Sequence, residues 1–239
     1  MDDSPHYRPL YRQVYDYLVR QIADGAWRPS EALPSEQALA DKLRVSQGTV
    51  RKALDALTAE KLIDRRQGKG TYVAEQTQER ALFRFFRLAE PDGERAVPTS
   101  EDESVRRRAA HAVEARKLHL KQGAQVVEIA RTRLVGGRPT VFERIIVPLE
   151  VFPNIDRRQP LPNALYSLYQ REYGINIVST EEQLRADVAT RADSRRLVLK
   201  PGSPLLNIER VAVALDGHRV EWRVSRCDTT HLVYAVTLS

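Results

Sequence analysis

The sequence is poor in cysteine and tryptophan and has no long hydrophobic run. Cys227 is the single cysteine among 239 residues, so no intramolecular disulfide can form. This excludes a disulfide-stapled secreted fold and favours a reducing compartment, so we expect a cytoplasmic protein. No run approaches the roughly eighteen apolar residues of a membrane-spanning helix. The N-terminus, MDDSPHYRPL, lacks the basic and apolar regions of a secretory signal, so we expect neither export nor a membrane span.

Motifs for metal binding and catalysis are also lacking. The histidines show no metal-ligand spacing, and the sequence contains neither a P-loop nor a nucleophile elbow. These histidines are His6, His111, His119, His218 and His231. We therefore expect no metal site, no cofactor and no catalytic residue, and thus a protein that is not an enzyme.

Positive charge is present and unevenly distributed. The net charge of +6 is weak evidence by itself, because many basic proteins bind no nucleic acid. Between residues 42 and 73, however, eight basic side chains face only three acidic ones, a local charge of +5. The basic residues are Lys42, Arg44, Arg51, Lys52, Lys61, Arg65, Arg66 and Lys69. This concentration favours a polyanionic partner, double-stranded DNA in particular.

The same region has the pattern of a winged helix-turn-helix. We predict a first helix from about Leu10 to Asp24, a second over Glu36 to Leu43 capped by Ser35, and a third capped by Ser46. A hairpin turning through Gln67-Gly68-Lys69-Gly70 follows. The third helix places Val50, Ala53, Leu54 and Leu57 on one apolar face. The opposite face, which suits a major groove, carries Gln47, Gly48, Arg51, Lys52 and Asp55.

The stretch LPSEQALADKLRVSQGTVRKALDALTAEKLIDRRQGKGTYV resembles the DNA-binding domain of the GntR-type bacterial transcription regulators. The resemblance covers residues 8–74 and implies a homodimer on a palindromic operator. It places the family's DNA contacts on Gln37, Ser46, Gln47, Thr49, Arg51, Gln67 and Gly68, and we add the neighbouring cations Lys52 and Lys69.

Two positions depart from the family pattern. Gln37 and Gln47 stand where the family usually has arginine. Glutamine suits adenine or water-mediated contacts, whereas arginine reads guanine bidentately, so we expect an altered operator preference. The alternative is that both glutamines are solvated surface side chains.

The second half is predicted to be an α+β domain with a mainly antiparallel sheet, over residues 82–239 after a linker at 75–81. Ala81 to Leu88 alternates like a strand, with Phe83, Phe85 and Phe86 as core or dimer contacts and a stacking role as the alternative. Two hairpins follow, Val126 to Leu134 with Val141 to Val147, and Leu205 to Leu215 with Val220 to Arg226. Short helices are predicted at Ala164 to Gly174 and Ser194 to Leu199.

This half resembles the UTRA ligand-sensing domain of the HutC-like subgroup, which shares its fold with chorismate lyase. The pieces that carry the resemblance are the first hairpin with its R.R and E, the LY....e.YG helix and the final G..vE. In that subgroup these pieces line the effector cleft, which implies effector contacts at Arg131, Arg133, Glu143, Tyr166 and Glu221. Arg131 and Arg133 lie two apart on a strand and point to one face, where they form either an anion clamp or structural ion pairs with Glu143 or Glu221.

Two departures bear on the ligand. Ala164 stands where members that sense sugar phosphates usually have serine, with Ser167 one turn further on, and Cys227 stands where many members have tyrosine. We therefore expect a small anionic metabolite, a carboxylate or a phosphate, with the carboxylate favoured. The chain is expected to be a repressor released by this metabolite, although activation or a corepressor stays open. The alternatives are a chorismate lyase-like enzyme, which fold kinship alone does not support, and a non-specific architectural DNA-binding protein, which needs no cleft.

Overall fold

Two hydrophobic cores organise the chain, one in each half. The computed structural model describes residues 8–237; most of MDDSPHYRPL and His6 therefore lie outside the described residues. The first core joins residues between Val14 and Val73, and the largest cluster of the second joins residues between Ala81 and Val220. Across the described range, no helix has the length and apolar character needed to cross a bilayer.

Three helices and a hairpin form the N-terminal half, as predicted. They are α1 (Leu10–Ala23), α2 (Glu36–Leu43), α3 (Gln47–Ala59), β1 (Ile63–Arg66) and β2 (Gly70–Val73). Ser35 and Ser46 cap α2 and α3 by accepting hydrogen bonds from the backbone N–H groups of Ala38 and Thr49. The predicted apolar face of α3 is buried against α1 and the hairpin. This packing leaves the opposite face of α3 in solvent.

The strand predicted from Ala81 to Leu88 is wrong. Residues 78–85 form a helix, α4 (Gln78–Phe85), which begins inside the predicted linker and replaces the predicted strand. Its buried residues, Ala81 and Phe85, are four apart, which is helical spacing. Phe83 is exposed, and the guanidinium of Arg95 lies 3.6 Å from the centre of its ring. The alternation of aromatic residues had suggested a strand, but packing on the second core selected the helical period.

The C-terminal half is α+β, as predicted. Its elements are β3 (Leu88–Ala89), β4 (Thr99–Ala109), α5 (Ala112–Lys117), β5 (Gln125–Val135), β6 (Arg138–Pro148), α6 (Leu165–Tyr173), β7 (Ile177–Val188), α7 (Arg191–Leu197), β8 (Pro204–Ala214), β9 (Arg219–Cys227) and β10 (Val233–Tyr234). A six-stranded antiparallel sheet has the order β4-β5-β6-β9-β8-β7, and β3 pairs with β10. The two predicted hairpins are confirmed as β5-β6 and β8-β9, which lie side by side at the centre.

The edge strands β4 and β7 and the helix α5 were not predicted. The helix predicted at Ser194 to Leu199 instead spans Arg191–Leu197, because Thr190 and Asp193 form a capping box at its start. The helix predicted from Ala164 is confirmed as α6, which ends at Gly174 in a left-handed conformation (φ 68°). One face of the sheet packs against α6 and α4, and this face contains the cavity described below.

Candidate functional site

The exposed face of α3 presents the side chains that the sequence predicted for DNA contact. Gln47, Arg51, Lys52 and Asp55 are exposed, while Thr49 is half-buried. The cation of Lys52 lies 4.3 Å from the centre of the Tyr11 ring, which holds it beside α1. A helix face with one arginine, one lysine and short polar groups can enter a major groove and donate to base edges.

Glu36 orients the central arginine of this face. Nε and Nη2 of Arg51 donate to Oε2 of Glu36 at 3.0 and 2.9 Å, and the Gln47 amide donates to the same oxygen at 3.4 Å. The hydrogen bond from Arg51 lowers the pKa of Glu36, so this carboxylate stays charged. The guanidinium is thus held in one orientation before any ligand arrives. Sequence reasoning missed Glu36, because a contact between α2 and α3 gives no periodic signal within either helix.

The remaining predicted contact residues lie around α3. Gln37 is exposed and its amide donates to Asp41 on its own helix at 2.9 Å, in keeping with a surface side chain. The hydroxyls of Ser46 and Thr49 lie 2.9 Å apart at the start of α3. Gln67, Gly68 and Lys69 form the exposed tip of the hairpin. Gly68 has a φ of +69°, a conformation that glycine adopts without strain.

The second candidate site is a cavity of about 50 Å³ between the inner face of the sheet and the helices α4 and α6. Four of the five residues predicted for effector contact line it: Arg131, Arg133, Glu143 and Tyr166. Glu221 is fully buried directly behind them. Residues 81, 82 and 85–88 of α4 and its C-terminal extension form part of the wall.

Glu143 and Glu221 are committed to partners inside the domain. Nε of Arg131 donates to Glu143 at 2.9 Å, and Arg223 donates to Glu143 and twice to Glu221 at 3.0 Å. The hydroxyls of Tyr166 and Tyr169 donate to Glu221 at 2.9 and 2.8 Å. Burial alone would raise the pKa of Glu143, but the neighbouring guanidiniums outweigh it and hold that pKa far below its usual value. Arg131 is therefore in a structural ion pair.

Arg133 differs from Arg131. Its Nη1 donates to the carbonyl of Asn163 at 2.8 Å, and the nearest carboxylate, Glu143, is 3.9 Å away. Its Nε is buried and has no hydrogen-bond partner within residues 8–237. Burial lowers the pKa of Arg133 to about 9, so the group is still cationic at neutral pH. A buried cation with a free donor favours an anion in the cavity.

Three further cationic residues line the cavity, and sequence reasoning missed them. They are Arg87, Arg210 and Arg223. Arg223 lies two residues after Glu221 on β9, so the period of two along a strand could have identified it. Arg210 is held by Glu182 and by the carbonyl of Phe85. With Arg131 and Arg133 included, five arginines line the cavity against one carboxylate, Glu143.

In the second half, the two residues that depart from the UTRA pattern, Ala164 and Cys227, both line this cavity. Ala164 precedes α6 and gives that helix no side-chain cap. Ser167 does not replace the missing hydroxyl, because its own hydroxyl donates to the Ala164 carbonyl at 3.1 Å. Cys227 is buried, and burial raises the pKa of its thiol. In the described part of the chain, no three His, Cys, Asp or Glu side chains are grouped to hold a metal ion.

Both halves of the chain match known family models. Residues 10–73 match the family model of bacterial regulatory proteins, gntR family, and residues 93–232 match the UTRA domain. The chain is 27% identical over 210 residues to the probable fructoselysine utilization operon transcriptional repressor of Escherichia coli (strain K12), covering 88% of the chain and 86% of that protein. It is 29% identical over 203 residues to the histidine utilization repressor of Pseudomonas putida, covering 84% and 81%. PhnF from Mycobacterium smegmatis shares the fold, with a TM-score of 0.55, 22% identity and coverage of 95% and 99%.

Proposed function

The chain belongs to the gntR family of bacterial regulatory proteins and carries a UTRA domain, and we propose that it represses transcription from a palindromic operator until a small anionic metabolite releases it. It is a DNA-binding transcriptional regulator, not an enzyme. In this proposal residues 8–74 bind DNA, residues 75–81 link the two halves, and residues 82–239 bind the effector and dimerise.

The exposed, pre-oriented Arg51 is the observation that carries the DNA-binding part of the proposal. Its guanidinium is suited to a guanine, since arginine donates in parallel to two acceptors of that base. Ser46, Gln47, Thr49 and Lys52 accompany it on or beside α3, and Gln67, Gly68 and Lys69 would meet the adjoining backbone or minor groove. Gln47 is the second base-reading candidate, whereas the bond of Gln37 to Asp41 favours a supporting role.

The long edge strand β7 supports a homodimer. It has twelve residues and no strand on its outer side within residues 8–237, and it exposes Leu184 and Val188. Such an edge tends to pair with another strand. If two copies paired antiparallel about Gln183, the exposed Glu181 of each would lie opposite Arg185 of the other, so the charges are self-complementary. Two copies related in this way match a palindromic operator.

Arg133 carries the effector part of the proposal. Its free donor, the excess of arginines and the uncapped start of α6 all favour an anion in the cavity. Fructoselysine and histidine, which the names of the two relatives mention, both contain a carboxylate. The absence of a serine at position 164 further favours a carboxylate over a sugar phosphate.

The size of the cavity supports coupling between ligand and DNA. Sites for small molecules usually enclose about 300–1,000 Å³, whereas this cavity encloses about 50 Å³. A metabolite must therefore displace part of the wall. The wall includes α4, and Arg80 of α4 binds Asp64 of the hairpin at 2.8 Å. Displacement of α4 would shift the DNA-binding half, so the ligand-bound and ligand-free proteins would differ in operator affinity. Such a difference couples ligand binding to DNA binding.

Operator binding is the first test of this function. We expect the protein to prefer one pseudo-palindromic fragment from around its own coding region, as two copies per fragment, with affinity that falls as salt rises. Fluorescence anisotropy with labelled fragments and scrambled competitor would measure the preference. Equal affinity for all fragments would instead favour an architectural protein, and no binding would contradict the proposal.

Substitution of Arg133 tests the effector site. A panel of glycerate, succinate, citrate, histidine, inorganic phosphate and glucose 6-phosphate, with glucose as the uncharged reference, would be screened for release of the operator. We expect an anion to release the DNA. Arg133→Ala should lower the affinity for that anion by about 10- to 150-fold, because it removes a charge-assisted hydrogen bond worth roughly 1.5–3 kcal/mol.

Arg106→Ala is the matched control, because Arg106 is an exposed arginine on β4 that pairs with Glu128 outside the cavity. If Arg133→Ala and Arg106→Ala both released the operator at the same ligand concentration as the wild-type protein, Arg133 would be excluded from the effector site. Release by glucose alone would exclude an anionic effector.

A further inference from the structure

A buried glutamine joins the two halves of the protein. Gln170 on α6 is 4% exposed, and its side-chain carbonyl accepts the backbone N–H of Gln76 at 2.7 Å. Its amide nitrogen donates to the backbone carbonyl of Ala74 at 2.9 Å and to the side chain of Asn176. Ala74 directly follows β2, the last strand of the DNA-binding half, and Gln76 lies two residues further on. One side chain thus binds the chain on both sides of residue 75.

A second hydrogen bond completes the junction. The side-chain amide of Gln76 donates to the carbonyl of Ile177, the first residue of β7, at 3.1 Å. Together these bonds fix the short stretch between β2 and α4 to the sheet domain by its own backbone. Backbone groups held at several points lose their freedom to rotate, so the orientation of the attached domain becomes defined.

The helix that carries Gln170 also carries a wall residue of the cavity. Tyr166 lies one turn earlier on the same face of α6, and Tyr166 and Tyr169 both bind the buried Glu221. Because a helix moves as a rigid unit, the position of Gln170 is tied to the position of the cavity wall. A glutamine that served only to fill space would need no such set of contacts to the main chain of the other half.

We propose that Gln170 is a positioning residue that sets the orientation of the DNA-binding half and thereby the spacing of the operator half-sites that the dimer accepts. The proposal rests on the operator-binding dimer described above. A small rotation at residues 74–76 is amplified at α3. Two DNA-binding halves held at fixed angles in the dimer fit half-sites only at one separation along the DNA helix. Loosely held DNA-binding halves accept several separations, but each one then meets its half-site at a lower effective concentration.

A series of operators with altered spacing tests this role. Fragments would carry the two half-sites at the natural separation and with one or two base pairs added or removed, together with a fragment that carries a single half-site. For the wild-type protein we expect one sharp optimum. For Gln170→Ala we expect affinity at the optimum to fall about 10-fold and the preference over the neighbouring spacings to flatten, with single half-site affinity unchanged.

Arg171→Ala is the matched control, because Arg171 is the next residue of α6, is exposed and, among residues 8–237, forms an ion pair only with its neighbour Glu172. It should keep the wild-type optimum. Gln170→Glu keeps the acceptor for Gln76 but turns a carboxylate oxygen toward the acceptor oxygens of Ala74 and Asn176, so a profile at least as flat as that of Gln170→Ala is expected. Gln76→Ala, which loses only the bond to Ile177, should shift the profile in the same direction and decides the matter if Gln170→Ala does not fold.

The outcomes separate this inference from the function on which it rests. A Gln170→Ala protein, or Gln76→Ala in its place, with the sharp wild-type optimum overturns the positioning role and leaves the operator-binding function intact. Equal loss of single half-site and full-operator affinity also overturns it, because that result indicates damage to the DNA-binding half itself. If the wild-type protein shows no preference for any fragment, the proposed operator-binding function is contradicted, and the positioning role of Gln170 falls with it.

Discussion

Replacing Arg51 with alanine should lower operator affinity more than any other single change on the DNA-binding surface. A bidentate arginine–guanine contact is worth about 1–3 kcal/mol. A dimer makes this contact in both half-sites, so the expected loss is about 2–6 kcal/mol, or roughly 30-fold to 10⁴-fold in affinity. Arg51 is exposed and makes its hydrogen bonds to Glu36, so its removal leaves the buried face of α3 intact. Anisotropy titrations of operator and scrambled DNA would measure the loss.

Two controls separate base reading from simple charge. Arg116→Ala removes an exposed positive charge from α5 in the other half of the protein and should change operator affinity little. Lys52→Ala removes a charge from α3 itself, and if Lys52 binds a phosphate, this change should weaken all DNA sequences alike and reduce the salt dependence. If Arg51→Ala weakened operator and scrambled DNA by the same factor, Arg51 would bind a phosphate rather than a base.

Glu221→Ala should destabilise the C-terminal half by about 3–5 kcal/mol, the usual result of removing one partner of a buried ion pair. Glu221 is fully buried and accepts hydrogen bonds from Tyr166, Tyr169 and twice from Arg223. Alanine would leave two buried hydroxyls without acceptors and Arg223 with only Glu143 as a partner. The loss of stability follows from these unsatisfied groups rather than from the volume removed.

Urea unfolding followed by tryptophan fluorescence would measure this effect. Trp222 lies on β9 beside Glu221, whereas Trp27 packs in the N-terminal core, so a Trp27→Phe background reports the C-terminal half alone. Glu150→Ala removes an exposed carboxylate at the end of β6 and should change the free energy of unfolding by less than about 0.5 kcal/mol. A loss below about 1 kcal/mol for Glu221→Ala would show that water enters and satisfies the orphaned groups.

The DNA-binding half was predictable because its signals are local. A period of 3.6 residues placed Val50 and Leu57 inside and Arg51 outside, and the capping serines marked where α2 and α3 begin. These signals depend on neighbours within a few residues, and the structure confirmed them. The strand predicted over residues 81–88 is wrong because its outcome depends on contacts far outside that range. Ala81 and Phe85 are buried by contacts with distant residues of the second core, and these contacts selected a helix.

The candidate sites divide in the same way. Sequence alone determined that this chain has a basic helix-turn-helix with Arg51 outward and two hairpins in its second half. It also gave Arg131, Arg133, Glu143, Tyr166 and Glu221 as candidates for the effector site. Only the tertiary structure decided that Arg131 is neutralised by Glu143 while Arg133 keeps a free donor, that Glu36 orients Arg51, and that Gln170 holds residues 74 and 76. The reason is physical. A side chain's direction follows from its place in a helix or strand, but its partner depends on which distant strand or helix the fold brings within hydrogen-bonding distance.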